Sequence, residues 1–184
     1  KSTFKITGDG AITIDSSFSA RKELERFGMQ ISLPEEFQQV TYYGLGPQET
    51  MPDRLTGARV GKFKTTVDQL NHDYVRPQEN GNRSQVRWVH LSNGNGKGVA
   101  IRKAGSHLFN FSVWTSTQER LADATHIHAL AKADTITLNI DLIQKGVGGD
   151  VPAGGQPQPE FRLLPGESYQ LAFVIQPIKE SDFF

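Results

Sequence analysis

Apolar and polar residues alternate with a period of two along much of this chain. Phe4 and Ile6, then Ile12 and Ile14, flank Gly8-Asp9-Gly10, which predicts a β-hairpin. Residues 20–26 favour a helix locally, and a short helical turn is compatible with them. The next stretch, Gly28 to Leu33, alternates again until Pro34 stops it, so a strand preceded by a charged edge is expected. Val40 to Leu45 predicts another strand, which delivers the chain into Pro47-Gln48-Glu49. From 46 to 78 the periodicity is weak and prolines stand at 47, 52 and 77. This segment is expected to be ordered loop interrupted by a short strand over 58–63, and a connection of that length is usually functional or interfacial.

Strand patterns then return at 85–91, 99–102 and 107–115, and they predict an antiparallel meander. Residues 117–130 (TQERLADATHIHAL) are the helical candidate, with Thr117 as N-cap. A strand at 135–143, a Gly/Pro-rich loop at 146–159 and a last strand at 167–175 complete the series. Many short strands with little helix predict an all-β sandwich or barrel.

Composition narrows the function classes. At 184 residues the chain suits one domain. Twenty basic and twenty acidic residues give a net charge of +0, which argues against nucleic acid as a partner. The absence of cysteine removes disulfide, thiolate and zinc–cysteine chemistry. No apolar run approaches the roughly 20 residues of a membrane span. The opening KSTFKITGDG lacks the apolar core of a signal peptide, so a soluble chain is expected. Its first residue is Lys1 rather than Met, which fits a processed chain or a piece of a longer one.

Polar chemistry gathers in two echoing stretches, YYGLGPQETMPDR at 42–54 and YVRPQENGNR at 74–83. Each runs from an aromatic strand end through Pro-Gln-Glu to an arginine. Glu49 and Glu79 could form a pair of carboxylates of the kind sugar chemistry uses. The plainer reading, which is preferred, is that each pairs with a nearby arginine, Arg54 or Arg83, or caps a turn. His126 and His128 would share one face if extended, as metal ligands or as packing residues, and no third ligand is marked. The loop GVGGDVPAGG lacks the Lys and Ser/Thr of a phosphate loop. No serine sits in a Gly-x-Ser-x-Gly turn. Tyr42, Tyr43, Trp88 and Trp114 are read as core or sheet-face residues.

Five motifs occur in order: GLGPQE with PDR at 44–54, YVRPQENGNR with the RW that follows it, TQERL at 117–121, LNID at 138–141 and GVGGD at 146–150. Together they resemble the C-terminal domain (domain 5, the small-chain domain) of glycoside hydrolase family 2 β-galactosidases, over about residues 27–177. The resemblance implies a large antiparallel β-sandwich, a supersandwich of the galactose mutarotase-like kind. It also implies that a separate (β/α)8 barrel carries both catalytic glutamates and hydrolyses β-galactosides with retention.

Neither Glu49 nor Glu79 matches those glutamates, so no catalytic residue, cofactor or metal is expected in this chain. Its implied role is accessory: shaping the substrate pocket and packing on the barrel of the parent enzyme. Glu79, Asn80, Arg83 and Asp150 are the substrate-facing candidates, and Glu49, Arg54 and His128 the structural or interface ones. The family's serine–glutamine pair falls near Thr117-Gln118. Its sugar-stacking tryptophan after GGD falls on Ala153, so that contact is lost or supplied from elsewhere. The expected partners are the rest of the parent chain and a β-galactoside or other carbohydrate, with no nucleic acid and no membrane insertion. Location is left open: periplasmic or extracellular placement suits a polysaccharide-degrading relative, and the absence of cysteine is compatible with a cytoplasmic one as well. An independent carbohydrate-binding module and a mutarotase-like aldose 1-epimerase, using Glu79 with His126 or His128, are the alternatives.

Overall fold

The computed structural model describes residues 1–149 and 155–179. In chain order the strands are β1 (Ser2–Ile6), β2 (Ile12–Ser19), β3 (Arg26–Pro34), β4 (Gln39–Gly46) and β5 (Arg59–Thr66). The short helix α1 (Val67–Leu70) is followed by β6 (Arg83–Val86), β7 (Trp88–Ser92), β8 (Lys97–Lys103) and β9 (Phe109–Trp114). Helix α2 (Gln118–Asp123), β10 (Thr135–Gln144) and β11 (Ser168–Lys179) complete the described strands and α-helices. Two antiparallel sheets result, one of seven strands ordered β1-β2-β11-β8-β7-β4-β5 and one of four ordered β3-β10-β9-β6. They stack as an open sandwich, which bears out the all-β expectation. None of the described helices is long and apolar enough to cross a membrane.

Alternation along each strand sends one row of side chains inward. Val40, Tyr42, Val89, Leu91, Ile101 and Phe173 from the larger sheet meet Phe109, Phe111, Ile136, Leu138 and Ile140 from the smaller. All are at most 1% exposed, and each contributes roughly 1.5–3 kcal/mol by leaving water. The first hairpin forms as expected, with Phe4 opposite Ile14 and Ile6 opposite Ile12.

Several expectations are corrected. The predicted meander is split: β7 and β8 pair in the larger sheet, while β6 and β9 pair in the smaller. The chain changes sheets within the run 85–91, where Gln85 adopts φ 54. An apolar run does not reveal such a crossing, because both sheets bury it alike. The helix expected over 117–130 shrinks to Gln118–Asp123, capped by Thr117 Oγ1, which accepts from the Arg120 N–H at 3.3 Å. A 3-10 turn at Ile127–Ala129 follows. The residues before β3 bend at 21, 22 and 25 and take no helical turn, in line with the charged edge expected there, and Leu24 bridges Leu163. Within the stretch expected as loop, β5 runs on to Thr66 and α1 buries Val67 and Leu70 against the core.

Candidate functional site

On β10, Ile136, Leu138 and Ile140 take the core side, so Thr137, Asn139 and Asp141 face the other way. They are nonetheless buried, at 4%, 3% and 2% exposure, as is Ser112 beside them on β9. Buried polar groups are costly unless hydrogen-bonded, and here they form a network. Asn139 Nδ2 donates to Ser112 Oγ at 3.1 Å, and Gln30 Nε2 on β3 donates to Asn139 Oδ1 at 3.1 Å. Arg26 grips Asp141 through Nε at 3.3 Å and Nη2 at 2.7 Å. Gln144 Nε2 adds a third bond to that carboxylate, at 3.2 Å.

The network reaches the surface at Glu79. Its Oε2 accepts from Arg26 Nη1 at 2.9 Å and its Oε1 from Gln118 Nε2 at 2.8 Å. Burial pushes the Glu79 carboxyl above the usual range; Arg26 opposes the shift and the Asp141 charge adds to it. Burial also pushes Asp141 up, against the hold of Arg26. One guanidinium thus serves two carboxylates, leaving the cluster an acceptor-rich site for hydroxyl or amide donors.

The two Pro-Gln-Glu turns are bonded to one another. The Glu49 carboxylate accepts from the Gly81 N–H. Thr50 N–H donates to the Asn82 carbonyl at 2.9 Å, Asn82 Nδ2 to the Thr50 carbonyl at 2.7 Å, and Ser84 N–H to Thr50 Oγ1 at 2.8 Å. Asn80 shapes its own turn: Oδ1 accepts from His72 N–H at 2.9 Å, while Nδ2 donates to the His72 and Gln78 carbonyls. The Asn80 carbonyl receives Trp114 Nε1 at 2.9 Å. On the far side, Asp53 accepts from Gly148 N–H at 2.7 Å, and Arg54 Nη2 reaches the Gly148 carbonyl at 3.5 Å. The PDR motif therefore ties down the start of the GVGGD loop.

These turns and the polar sheet face enclose a cleft of about 470 Å³, into which Glu49, Arg54, Glu79 and Asn80 all open. The other predicted residues stand elsewhere. Arg83 is 4% exposed and donates to the Gly81 carbonyl at 2.8 Å, beneath the turn. It braces the site and does not pair with Glu79, whose partner is Arg26. Glu49 receives the Gly81 N–H, which is the turn-capping alternative to a pair with Arg54. His128 is exposed on the 3-10 turn, its ring stacked 5.5 Å from that of His126. Among the described residues no set of three His, Cys, Asp or Glu could hold a metal. Asp150 and Ala153 lie outside the described residues.

Sequence reading missed Arg26 and Asp141 as site residues and placed Gln118 only as part of a family motif. The polar row Thr135, Thr137, Asn139, Asp141 in an otherwise apolar strand was the available signal, since a carboxylate amid Leu and Ile needs a buried cation. Nothing in the spacing pointed to Arg26 as that cation.

Residues 1–175 match the family model described as beta galactosidase small chain. A β-galactosidase from Streptococcus thermophilus is 32% identical over 184 residues, covering 97% of this chain and 18% of that protein. One from Lactobacillus delbrueckii subsp. bulgaricus is 37% identical over 179 residues, covering 96% of this chain and 17% of that protein. The chain thus spans under a fifth of the length of these relatives. Among solved structures, a putative aldose 1-epimerase from Escherichia coli K12 aligns with a TM-score of 0.47 and 13% identity, covering 97% of this chain and 59% of that one. A galactose mutarotase-like protein from Lactobacillus casei ATCC 334 aligns with a TM-score of 0.45 and 13% identity, covering 96% and 62%. At those values the likeness bears on no activity.

Proposed function

This chain belongs to the beta galactosidase small chain family, and from that premise we propose that it is an accessory C-terminal β-sandwich of a larger β-galactosidase. In this reading it offers the Glu79 cleft to the sugar and packs on the part of the parent that performs hydrolysis. The observation that carries the proposal is the cleft itself, where Glu49, Arg54, Glu79 and Asn80 converge from three separate turns. Hydrogen-bonding side chains fixed in advance suit a polyhydroxylated ligand, because little ordering entropy is then lost on binding.

Hydrolysis is assigned to the parent rather than to this chain. Both oxygens of Glu79 are engaged by Arg26 and Gln118, and Glu49 is engaged by Gly81. Two carboxylates held in this way support binding better than a general acid and nucleophile acting on one bond. An epimerase would need a histidine beside Glu79, and the exposed His126–His128 stack does not line the cleft.

The test is a galactose titration of the isotope-labelled chain by NMR, with a nitrophenyl galactoside assay on the same sample. The expected outcome is weak binding with shifts at Glu79, Asn80 and Trp114, their loss in Glu79→Ala, and no turnover. Turnover by the chain, or shifts confined to other faces, would overturn the proposal.

A further inference from the structure

A second cavity, of about 310 Å³, adjoins the cleft and shares Arg26 and Gln118 with it as walls. Arg26, Gly28 and Gln30, on one face of β3, line it. A Cβ at Gly28 would overlap Asp141 Oδ1 and the Ile140 carbonyl, so the buried carboxylate takes the place of a side chain and forms the cavity wall together with Gly28. Gln30, Asn139 and Gln118 supply amide groups to this cavity, and the rings of Phe18 and Phe27, stacked 5.9 Å apart, border it. Moreover, β3 is an end strand, paired only with β10 among the described strands, so alternate backbone groups along its open edge face outward. Amides beside an aromatic border suit a sugar ring, which has hydroxyls around its rim and an apolar face of C–H groups.

We propose that the two cavities are consecutive subsites for a linear β-linked galactan. One unit would sit in the Glu79 cleft, and the chain would continue past the Arg26–Glu79–Gln118 bridge into the Gly28 cavity. The bridge marks the boundary: Gln118 donates to Glu79 on the cleft side at 2.8 Å, and its Oε1 lies 3.5 Å from Gln30 Nε2 on the other. A residue bonded to both sides responds to occupancy of either. This inference rests on the cleft being a sugar site, and adds that the preferred ligand is longer than a monosaccharide.

The experiment compares galactose with a linear β-1,4-galactotetraose in NMR titrations of the chain, wild type and Gln30→Ala. Gln30 is exposed and lines only the second cavity of the two, so its truncation removes no group from the cleft wall, and the galactose affinity of the variant reports any effect passed through Gln118. The expected result is about tenfold tighter binding of the tetrasaccharide, with shifts extending to Gly28, Gln30 and Asn139, and return of the Gln30→Ala variant to the affinity for galactose. Equal affinities with shifts restricted to the cleft would overturn the second subsite and leave the accessory reading standing. Absence of any shift at the cleft with either sugar would overturn that reading, and this inference with it.

Discussion

Replacing Arg26 with Met removes the cation from a carboxylate that has nowhere else to discharge. Asp141 is 2% exposed, and without Arg26 it keeps one side-chain donor, Gln144 Nε2 at 3.2 Å. Breaking a buried pair from one side costs about 3–5 kcal/mol. The surviving Gln144 bond and the 20% exposure of the Arg26 side chain place R26M near the lower end, at about 3 kcal/mol. For a chain of this size that is a melting-temperature drop of roughly 6–12 °C. Asp141→Asn should cost less, about 1–2 kcal/mol, because Arg26 keeps Glu79 and some water. The double variant then contains no stranded charge, so its cost should fall short of the summed single costs by about 1–2 kcal/mol.

The pH dependence has a defined sign. A carboxyl raised in the folded state keeps its proton there after the unfolded chain has released it, so stability falls as pH rises above the unfolded value of 3.8. Removing Arg26 raises Asp141 further. The R26M deficit should therefore be larger at pH 7 than at pH 4.5. Urea unfolding followed by tryptophan fluorescence at both pH values measures all four chains. Additive single costs, or an R26M variant within about 0.5 kcal/mol of wild type at pH 7, would refute the view that Asp141 depends on Arg26.

Thr50→Val strands the Ser84 N–H that now donates to Thr50 Oγ1 at 2.8 Å, and should cost about 1–3 kcal/mol by urea unfolding; a neutral result would mean that the two turns are not held by that bond. Gly146→Ala brings a Cβ within 2.6 Å of Asp53 Oδ2 and 3.0 Å of Phe161 Cβ, costing about 1–3 kcal/mol, whereas Gly57→Ala meets nothing within 4 Å and should be near neutral in the same thermal melts. Glu23 is held down to about 2 by its hydrogen bond from Arg162, so the stability it contributes is present above the unfolded value of 4.5 and lost as pH falls toward 2. Glu23→Gln should flatten that part of an acid titration followed by circular dichroism, and an unchanged acid limb would count against the pairing. His128→Ala, removing an exposed ring, should stay within about 0.5 kcal/mol of wild type in thermal melts.

What the sequence could reveal follows from the range of each interaction. Period-two alternation is local, so the first hairpin, β3, β4 and β10 were legible from their own residues. Membership of a sheet is not local, and the run from Gln85 to Leu91 gave no sign that it starts in one sheet and ends in the other. Helix extent failed for a related reason. The cap at Thr117 is a local signal and was correct, but the residues after Asp123 give up helical bonds for contacts set elsewhere: Ile127 N–H donates to the Val75 carbonyl at 3.2 Å, and Ala133 N–H to the Thr115 carbonyl at 2.7 Å.

The site divides along the same line. Glu49 and Glu79 were legible because turn residues advertise themselves by composition, and Asn80 through the family resemblance, yet their partners could not be read from spacing. Arg83, four residues from Glu79, donates to backbone carbonyls, whereas Arg26, separated from Glu79 by 53 positions, takes the carboxylate. The sheet explains the choice. In the β3–β10 register Gly28 stands opposite Asp141, and its missing side chain leaves Asp141 room to turn toward Arg26 at the start of β3. Arg26 then has one nitrogen left over, and it points at the turn carrying Glu79. A buried carboxylate on a central strand and a glycine on its neighbour thus fix the direction of a surface glutamate, which makes the interior polar row of β10 part of the support for the proposed binding site although only its edge meets solvent.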